Sequence, residues 1–171
     1  SVTVGGISTH MKIGVLGSGI VGQTLAAGFV KHGHKVMLGT RDPQKADVQA
    51  WLKKTPGAQA GTFAQTAKYG DLIVLATLGR VVEDVVQSAG PDNLAGKTII
   101  DTTNPLADTP PVDGVLPFTT GPNESLAEKI QARIPRSHVV KAFNSVGNTR
   151  MVNPHYEQGT PTMFLCGNDA G

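Results

Sequence analysis

Short runs of apolar residues recur along the chain, separated by stretches with helical periodicity. Several runs are apolar at every position instead of alternating, which is typical of parallel strands buried on both faces. The predicted strands cover residues 12–16, 35–38, 71–76, 98–101, 138–143 and 162–166. Because strand and helix alternate, the pattern predicts an α/β fold with a doubly wound sheet.

The helical stretches each carry one apolar face. The faces comprise Val21, Leu25, Gly28 and Phe29, then Val81, Val82, Val85 and Val86, then Leu126, Ile130 and Ile134. Gly33 is placed to end the first helix, and Asp42 followed by Pro43 has the pattern of an N-cap with proline at the first helical position. The proline-rich stretch 104–123 is long for a structureless connection, so we expect it to be functional.

Length and composition indicate one soluble domain. The chain has 171 residues, of which 39% are apolar, and a formal net charge of +2 without a basic run, so we expect neither nucleic acid nor a membrane as partner. Residues 1–10 lack a pattern and are interpreted as a disordered leader or tag remnant before a domain at 11–171. The single cysteine, Cys166, follows the apolar run 163–165, which predicts a buried strand and favours a cytoplasmic protein.

A glycine-rich turn lies between the first predicted strand and the first predicted helix. Its residues are Gly17, Ser18, Gly19, Ile20, Val21 and Gly22. This spacing in a strand-turn-helix context is the dinucleotide-binding fingerprint of a Rossmann-type fold, a mainly parallel sheet with helices on both faces. The helix N-terminus would present N–H groups to a pyrophosphate. Gln23 stands where a nucleoside-triphosphate loop requires lysine, which argues against phosphoryl transfer.

The end of the second strand indicates which dinucleotide is bound. An NAD site has an Asp or Glu there, which accepts hydrogen bonds from the ribose hydroxyls. Here the chain has Thr40 and Arg41, with Lys45 expected one turn into the next helix, and these side chains suit a 2′-phosphate. NADP is therefore favoured. The alternative assigns the ribose to Asp42, which we interpret instead as a helix cap.

The chain resembles a known family, the NADP-dependent oxidoreductases related to the deazaflavin (factor 420)-dependent NADP reductase. The segments that carry the resemblance are 13–22, 39–43 with Lys45, 101–105, 139–144 and 164–169. The resemblance implies hydride exchange between NADPH and a flavin-like or deazaflavin-like acceptor, with Thr40, Arg41 and Lys45 on the 2′-phosphate. A similar domain occurs at the cytoplasmic end of membrane metalloreductases. The resemblance also implies C-terminal helices that help to form a homodimer and the acceptor pocket, and we expect the 11–171 domain to lack this helical part.

The segments that follow the later strands should line the nicotinamide end of the site, because ligands lie across the carboxyl ends of parallel strands. The candidates there are Thr77, Leu78, Asn104, Pro105 and Asn144. No catalytic acid or base is required when the acceptor is a flavin or a deazaflavin, and the histidines lack the spacing of a metal site. A non-catalytic dinucleotide sensor or regulatory domain is the alternative function.

Overall fold

The computed structural model describes residues 10–104, 113, 120, 124–157, 159 and 162–168, and within them the predicted doubly wound sheet is present. The strands are β1 (Lys12–Leu16), β2 (Lys35–Gly39), β3 (Ala58–Gly61), β4 (Leu72–Leu75), β5 (Thr98–Asp101), β6 (His138–Lys141) and β7 (Cys166–Gly167). They form one sheet in the order β3-β2-β1-β4-β5-β6-β7, in which all neighbours are parallel except β6 and β7. The Rossmann-type α/β fold is thus confirmed.

Helices cover both faces of this sheet. They are α1 (Ile20–Lys31), α2 (Ala46–Lys54), α3 (Phe63–Tyr69), α4 (Val82–Ala89), α5 (Pro91–Leu94) and α6 (Leu126–Arg133), with 3₁₀ turns at Gly79–Val81 and Asn148–Arg150. Gly33 has φ +86° just after α1, as expected of a residue that ends a helix. Within the described ranges, every helix is too short or too polar to cross a membrane.

The core has one apolar layer on each side of the sheet. Helices α1 and α2 bury Leu25 and Trp51 against Ile13 and Val15 of β1, whereas Leu16 of the same strand belongs to the layer under α3, α4 and α6. Successive side chains of a strand point to opposite faces, so a strand between two helical layers must be apolar throughout. This explains why continuous apolar runs predicted the strands.

Two predicted strands differ from the structure at the far edge of the sheet. The run 138–143 leaves the sheet after Lys141, because Phe143 adopts φ +60° and its carbonyl accepts a hydrogen bond from Val146 in a turn. The run 162–166 is wrong as a buried strand. Among the described residues of this segment, Cys166 and Gly167 alone pair with β6, in antiparallel orientation. Cys166 is exposed because β7 is an edge strand.

The predicted cap of α2 is also wrong. Helix α2 begins at Ala46, and Lys45 is its N-cap residue instead of lying one turn inside. Residues 42–45 form a turn in which Lys45 N–H donates to the Asp42 carbonyl at 3.2 Å, and Asp42 Oδ1 accepts from Gln44 N–H at 2.9 Å. Aspartate at the first position and proline at the second favour such a turn, which competes with a helix start.

Strand β3 and helix α3 were absent from the prediction. The sequence of β3 is Ala-Gln-Ala-Gly, which lacks the β-branched and aromatic residues that mark a strand. Helix α3 did carry a local signal. Thr62 and Gln65 form a reciprocal capping box, in which Thr62 Oγ1 accepts from Gln65 N–H and Gln65 Oε1 accepts from Thr62 N–H.

Replacement of Thr62 by alanine tests this cap. We expect Thr62→Ala to lower the free energy of unfolding by about 1 kcal/mol, because the N-terminal N–H of α3 loses its acceptor. Ser125, the N-cap residue of α6, makes no side-chain capping bond and supplies the matched control. Urea unfolding of Thr62→Ala and Ser125→Ala measures both. Equal losses would show that the capping box contributes nothing.

Candidate functional site

A cleft of about 810 Å³ lies at the carboxyl ends of the central strands, where the strand order reverses between β1 and β4. Its volume is in the range of small-molecule and cofactor sites. The sequence-predicted residues that line it are Gly17, Ser18, Gly19, Ile20, Val21, Thr40, Arg41, Lys45, Thr77, Leu78 and Asn104. The cleft thus brings together residues that are far apart in the chain, such as Ser18 and Thr77.

The turn between β1 and α1 is built on very close backbone contacts. Gly17 has φ +126°, and a Cβ there would lie 2.3 Å from the carbonyl oxygen of Ala76. A Cβ on Gly22 would lie 2.0 Å from the carbonyl oxygen of Gly17, so Gly22 sits behind the cleft and not on its surface. Both glycines are therefore required by packing, whether or not a ligand binds.

Gly19 differs, because a Cβ built on it would meet nothing within 4 Å. It is the N-cap residue of α1, with no side-chain capping bond and no acidic residue in the first turn of the helix. The described side chains therefore leave the positive end of α1 open to the cleft, where an anion would be stabilised. The packing of the fold does not require glycine at position 19, because a side chain would have room there. A diphosphate-binding turn does require such open space beside its backbone, so these residues fit the dinucleotide.

Large apolar side chains on the rim add to this fit. Ile20 is 70% exposed at the start of α1, and Leu78 is 60% exposed after β4. Both line the cleft. Exposed apolar side chains that flank a concave surface are typical of a ligand site, because a bound ligand covers them.

The end of β2 forms a cationic corner of the cleft, composed of Thr40, Arg41 and Lys45. Thr40 is buried and its hydroxyl accepts a hydrogen bond from Ser18 Oγ at 3.1 Å, which ties the corner to the glycine turn. The exposed guanidinium of Arg41 makes no hydrogen bond or ion pair to any residue that the structure describes. Lys45 Nζ lies 3.4 Å from Asp47 Oδ2 in an exposed ion pair, which solvent screens strongly.

Asp42, the alternative ribose contact, also lines the cleft beside Arg41. Its Oδ1 is already engaged by Gln44 N–H, so the carboxylate is held by its own turn. The corner thus places one acidic group beside two basic side chains, and only the guanidinium of Arg41 is without a partner in the described structure.

The opposite end of the cleft follows β4, β5 and β6. Asn104 Nδ2 donates to the carbonyl of Asn144 at 3.2 Å, which joins the segments after β5 and β6. Asn144 does not itself line the cleft, and Pro105 lies outside the described residues. The hydroxyl of Thr77 is buried in the cleft wall without a hydrogen-bond partner in the described structure.

Sequence reasoning missed several residues of the cleft wall, namely Phe63, Arg80, Val81 and Val85. Phe63 opens α3, whose capping box was the available signal. Arg80 and Val81 belong to the 3₁₀ turn after β4. Their place depends on Gly79, where a Cβ would lie 2.1 Å from the carbonyl oxygen of Asn104. No local sequence pattern predicts such a contact between two loops.

Comparisons with known proteins agree with this geometry. Residues 12–105 match the family described as NADP oxidoreductase, coenzyme F420-dependent. The chain superposes on the crystal structure of a candidate F420-dependent NADP reductase from Arthrobacter sp. FB24 with a TM-score of 0.86 and 36% identity, covering 94% of this chain and 75% of that one.

Two curated relatives share parts of the sequence. The metalloreductase STEAP3 of Rattus norvegicus is 27% identical over 157 residues, which is 92% of this chain and 29% of the relative. An NADPH-dependent reductive aminase of Aspergillus oryzae is 34% identical over 93 residues, 54% of this chain and 30% of the relative. The matches thus span less than a third of each curated relative.

Alanine at two glycines separates a packing turn from a ligand-binding turn. We expect Gly17→Ala to lower the free energy of unfolding by roughly 2–4 kcal/mol, because a left-handed φ and a backbone clash both oppose the side chain. Gly19→Ala should cost less than about 1 kcal/mol, yet weaken NADPH binding roughly tenfold by placing a methyl group in the phosphate path. Urea unfolding and calorimetry provide the readouts. Unchanged NADPH affinity in Gly19→Ala would contradict the assignment of the cleft.

Proposed function

Because the chain belongs to the family of coenzyme F420-dependent NADP oxidoreductases, we propose that it binds NADPH in the cleft and exchanges hydride with a flavin-like or deazaflavin-like acceptor. The adenosine half would lie over the cationic corner and the pyrophosphate over the N-terminus of α1. The nicotinamide would lie over the ends of β4 and β5, because a dinucleotide crosses the sheet at the switch in strand order.

The observation that carries this proposal is the open N-terminus of α1. Apart from its chain neighbours, no described atom occupies the space beside Gly19 within 4 Å of where a Cβ would lie. The first turn of the helix has neither a capping side chain nor an acidic residue. Within reach along the same cleft lies Arg41, whose guanidinium has no partner among the described residues. An uncapped helix end and an unpaired guanidinium suit a diphosphate and a phosphomonoester respectively.

The nicotinamide supplies the hydride, so the residues of this chain need only bind, orient and exclude water. Leu78 and Ile20 provide apolar surface at the rim that keeps water from the bound cofactor. The Asn104–Asn144 hydrogen bond fixes the wall at the nicotinamide end. A flavin or deazaflavin ring accepts hydride without an obligatory proton donor from the protein, which agrees with a wall of threonine, asparagine and leucine side chains there.

Arg41→Ala tests the choice between NADPH and NADH. Loss of charge-assisted hydrogen bonds to a phosphate costs about 1.5–3 kcal/mol, so we expect NADPH affinity to fall about tenfold to a hundredfold while NADH affinity stays within about twofold. Arg133→Ala is the matched control, since Arg133 pairs with Glu83 away from the cleft. Calorimetry with both nucleotides measures the effect. An equal loss for NADPH and NADH would show that the 2′-phosphate lies elsewhere.

The acceptor is tested by mixing the protein with NADPH and a set of oxidised partners, with the loss of reduced nicotinamide absorbance as readout. The set comprises a deazaflavin, FMN, riboflavin, a quinone and a carbonyl–amine pair, the last because of the similarity to a reductive aminase. We expect oxidation with the deazaflavin or a flavin. Tight NADPH binding without oxidation by any partner would favour the non-catalytic sensor. Oxidation only with the carbonyl–amine pair would show that the acceptor is of that class and not a flavin or deazaflavin.

A further inference from the structure

A buried ion pair joins the carboxyl ends of β5 and β6. Asp101 is fully buried, and its Oδ2 lies 3.0 Å from Lys141 Nζ, whose side chain is only 14% exposed. The two residues face each other in the register of the parallel strands. Lys141 Nζ also donates to the carbonyl of Thr103. A buried carboxylate is costly unless a partner neutralises it, and Lys141 is that partner.

The carboxylate lies one side chain away from the cleft. Asp101 Oδ1 accepts from the Thr103 hydroxyl at 2.6 Å and from Thr103 N–H at 2.9 Å, and Thr103 lines the cleft. Thr102 and Asn104, on either side, line it too. The wall at this end is therefore shaped around Asp101, although Asp101 is hidden from solvent.

This end of the cleft is opposite the cationic corner. The corner follows β2, whereas Asp101 ends β5, and β1 and β4 lie between them in the sheet. If the phosphorylated ribose occupies the corner, as the proposed function requires, the nicotinamide is the part of the cofactor that approaches Asp101.

We propose that Lys141 is a positioning residue that sets the relative affinity for oxidised and reduced cofactor, by neutralising the Asp101 carboxylate beside the nicotinamide. The oxidised nicotinamide ring carries a positive charge and the reduced ring does not. An unpaired carboxylate beside the ring would therefore hold NADP⁺ preferentially, at the expense of NADPH. The Lys141–Asp101 pair removes this bias through charge, whereas a purely structural role would affect both forms of the cofactor alike.

The test compares dissociation constants of NADP⁺ and NADPH by calorimetry at pH 8. In Lys141→Met we expect the ratio of the NADP⁺ constant to the NADPH constant to fall about fourfold to fifteenfold, because the unpaired carboxylate attracts the cationic oxidised ring and not the neutral reduced ring. In Asp101→Asn, which leaves the ammonium unpaired, the ratio should rise. The double variant, which is neutral again, should return to within about twofold of the wild-type ratio.

Two controls separate charge from general damage. Affinity for 2′,5′-ADP, which represents only the adenosine half, should stay unchanged in every variant. Lys97→Met is the matched control, since Lys97 is part-buried at the other end of β5, where its Nζ donates to the carbonyl of Ala67 at 2.6 Å. Burial lowers the pKa of Lys97, against the opposing effect of Asp71. Lys97→Met therefore removes a part-buried lysine without changing the charge at the end of the cleft where the nicotinamide is proposed to lie.

The outcomes distinguish this inference from the proposed function. If the wild-type protein binds neither NADP⁺ nor NADPH, the proposed function fails and the inference falls with it. If the wild type binds both and the ratio stays within twofold in Lys141→Met, or in Asp101→Asn should Lys141→Met not fold, the inference alone is overturned. An equal shift in Lys97→Met would also overturn it.

Discussion

The contact between Gly17 and Gly22 is the constraint on which the site depends. The two residues approach so closely that a Cβ on Gly22 would lie 2.0 Å from the Gly17 carbonyl oxygen. This contact seats the first turn of α1 directly on the carboxyl end of β1, and the Gly17 N–H bond to the Gly39 carbonyl at 2.9 Å ties it to β2. The N-terminus of α1 therefore opens onto the cleft as a consequence of backbone packing. Gly19 is then free to serve a ligand, because the fold makes no demand on it.

The register of the sheet gives the cleft two different ends. Parallel pairing aligns the ends of β2, β1, β4 and β5 at one edge, so side chains that follow each strand meet there. At one end lies the exposed guanidinium of Arg41, which has no partner among the described residues. At the other end a buried carboxylate is already matched by a lysine in the same register. The exposed guanidinium and the buried ion pair are thus separated by the width of two strands.

The parts of the fold and of the cleft that could be predicted are those that depend on a local sequence pattern. The bounds of β1 and β5 were predicted without error, since a strand that is buried on both faces has a continuous apolar sequence. The glycine turn was predicted from the spacing of its glycines. Strand β3 was missed because the pairing of Ala58–Gly61 with β2, and not side-chain propensity, makes it a strand. The segment 162–166 was misjudged for the converse reason, since an apolar run at a sheet edge is not buried. Arg80 and Val81 reach the cleft only through a contact between two distant loops.

The Asp101–Lys141 pair could not be found locally either, because the strand register, and not a motif, brings the two residues together. A turn follows directly after the pair, in which Val146 N–H donates to the Phe143 carbonyl. Phe143 adopts φ +60°, which costs a bulky residue about 1–3 kcal/mol, and the carbonyl of the next residue, Asn144, accepts a hydrogen bond from Asn104. A strained turn that persists indicates that the neighbouring contacts determine its conformation. The charge balance at this end of the cleft is therefore fixed by backbone pairing and does not rely on the conformation of an exposed side chain such as Arg41.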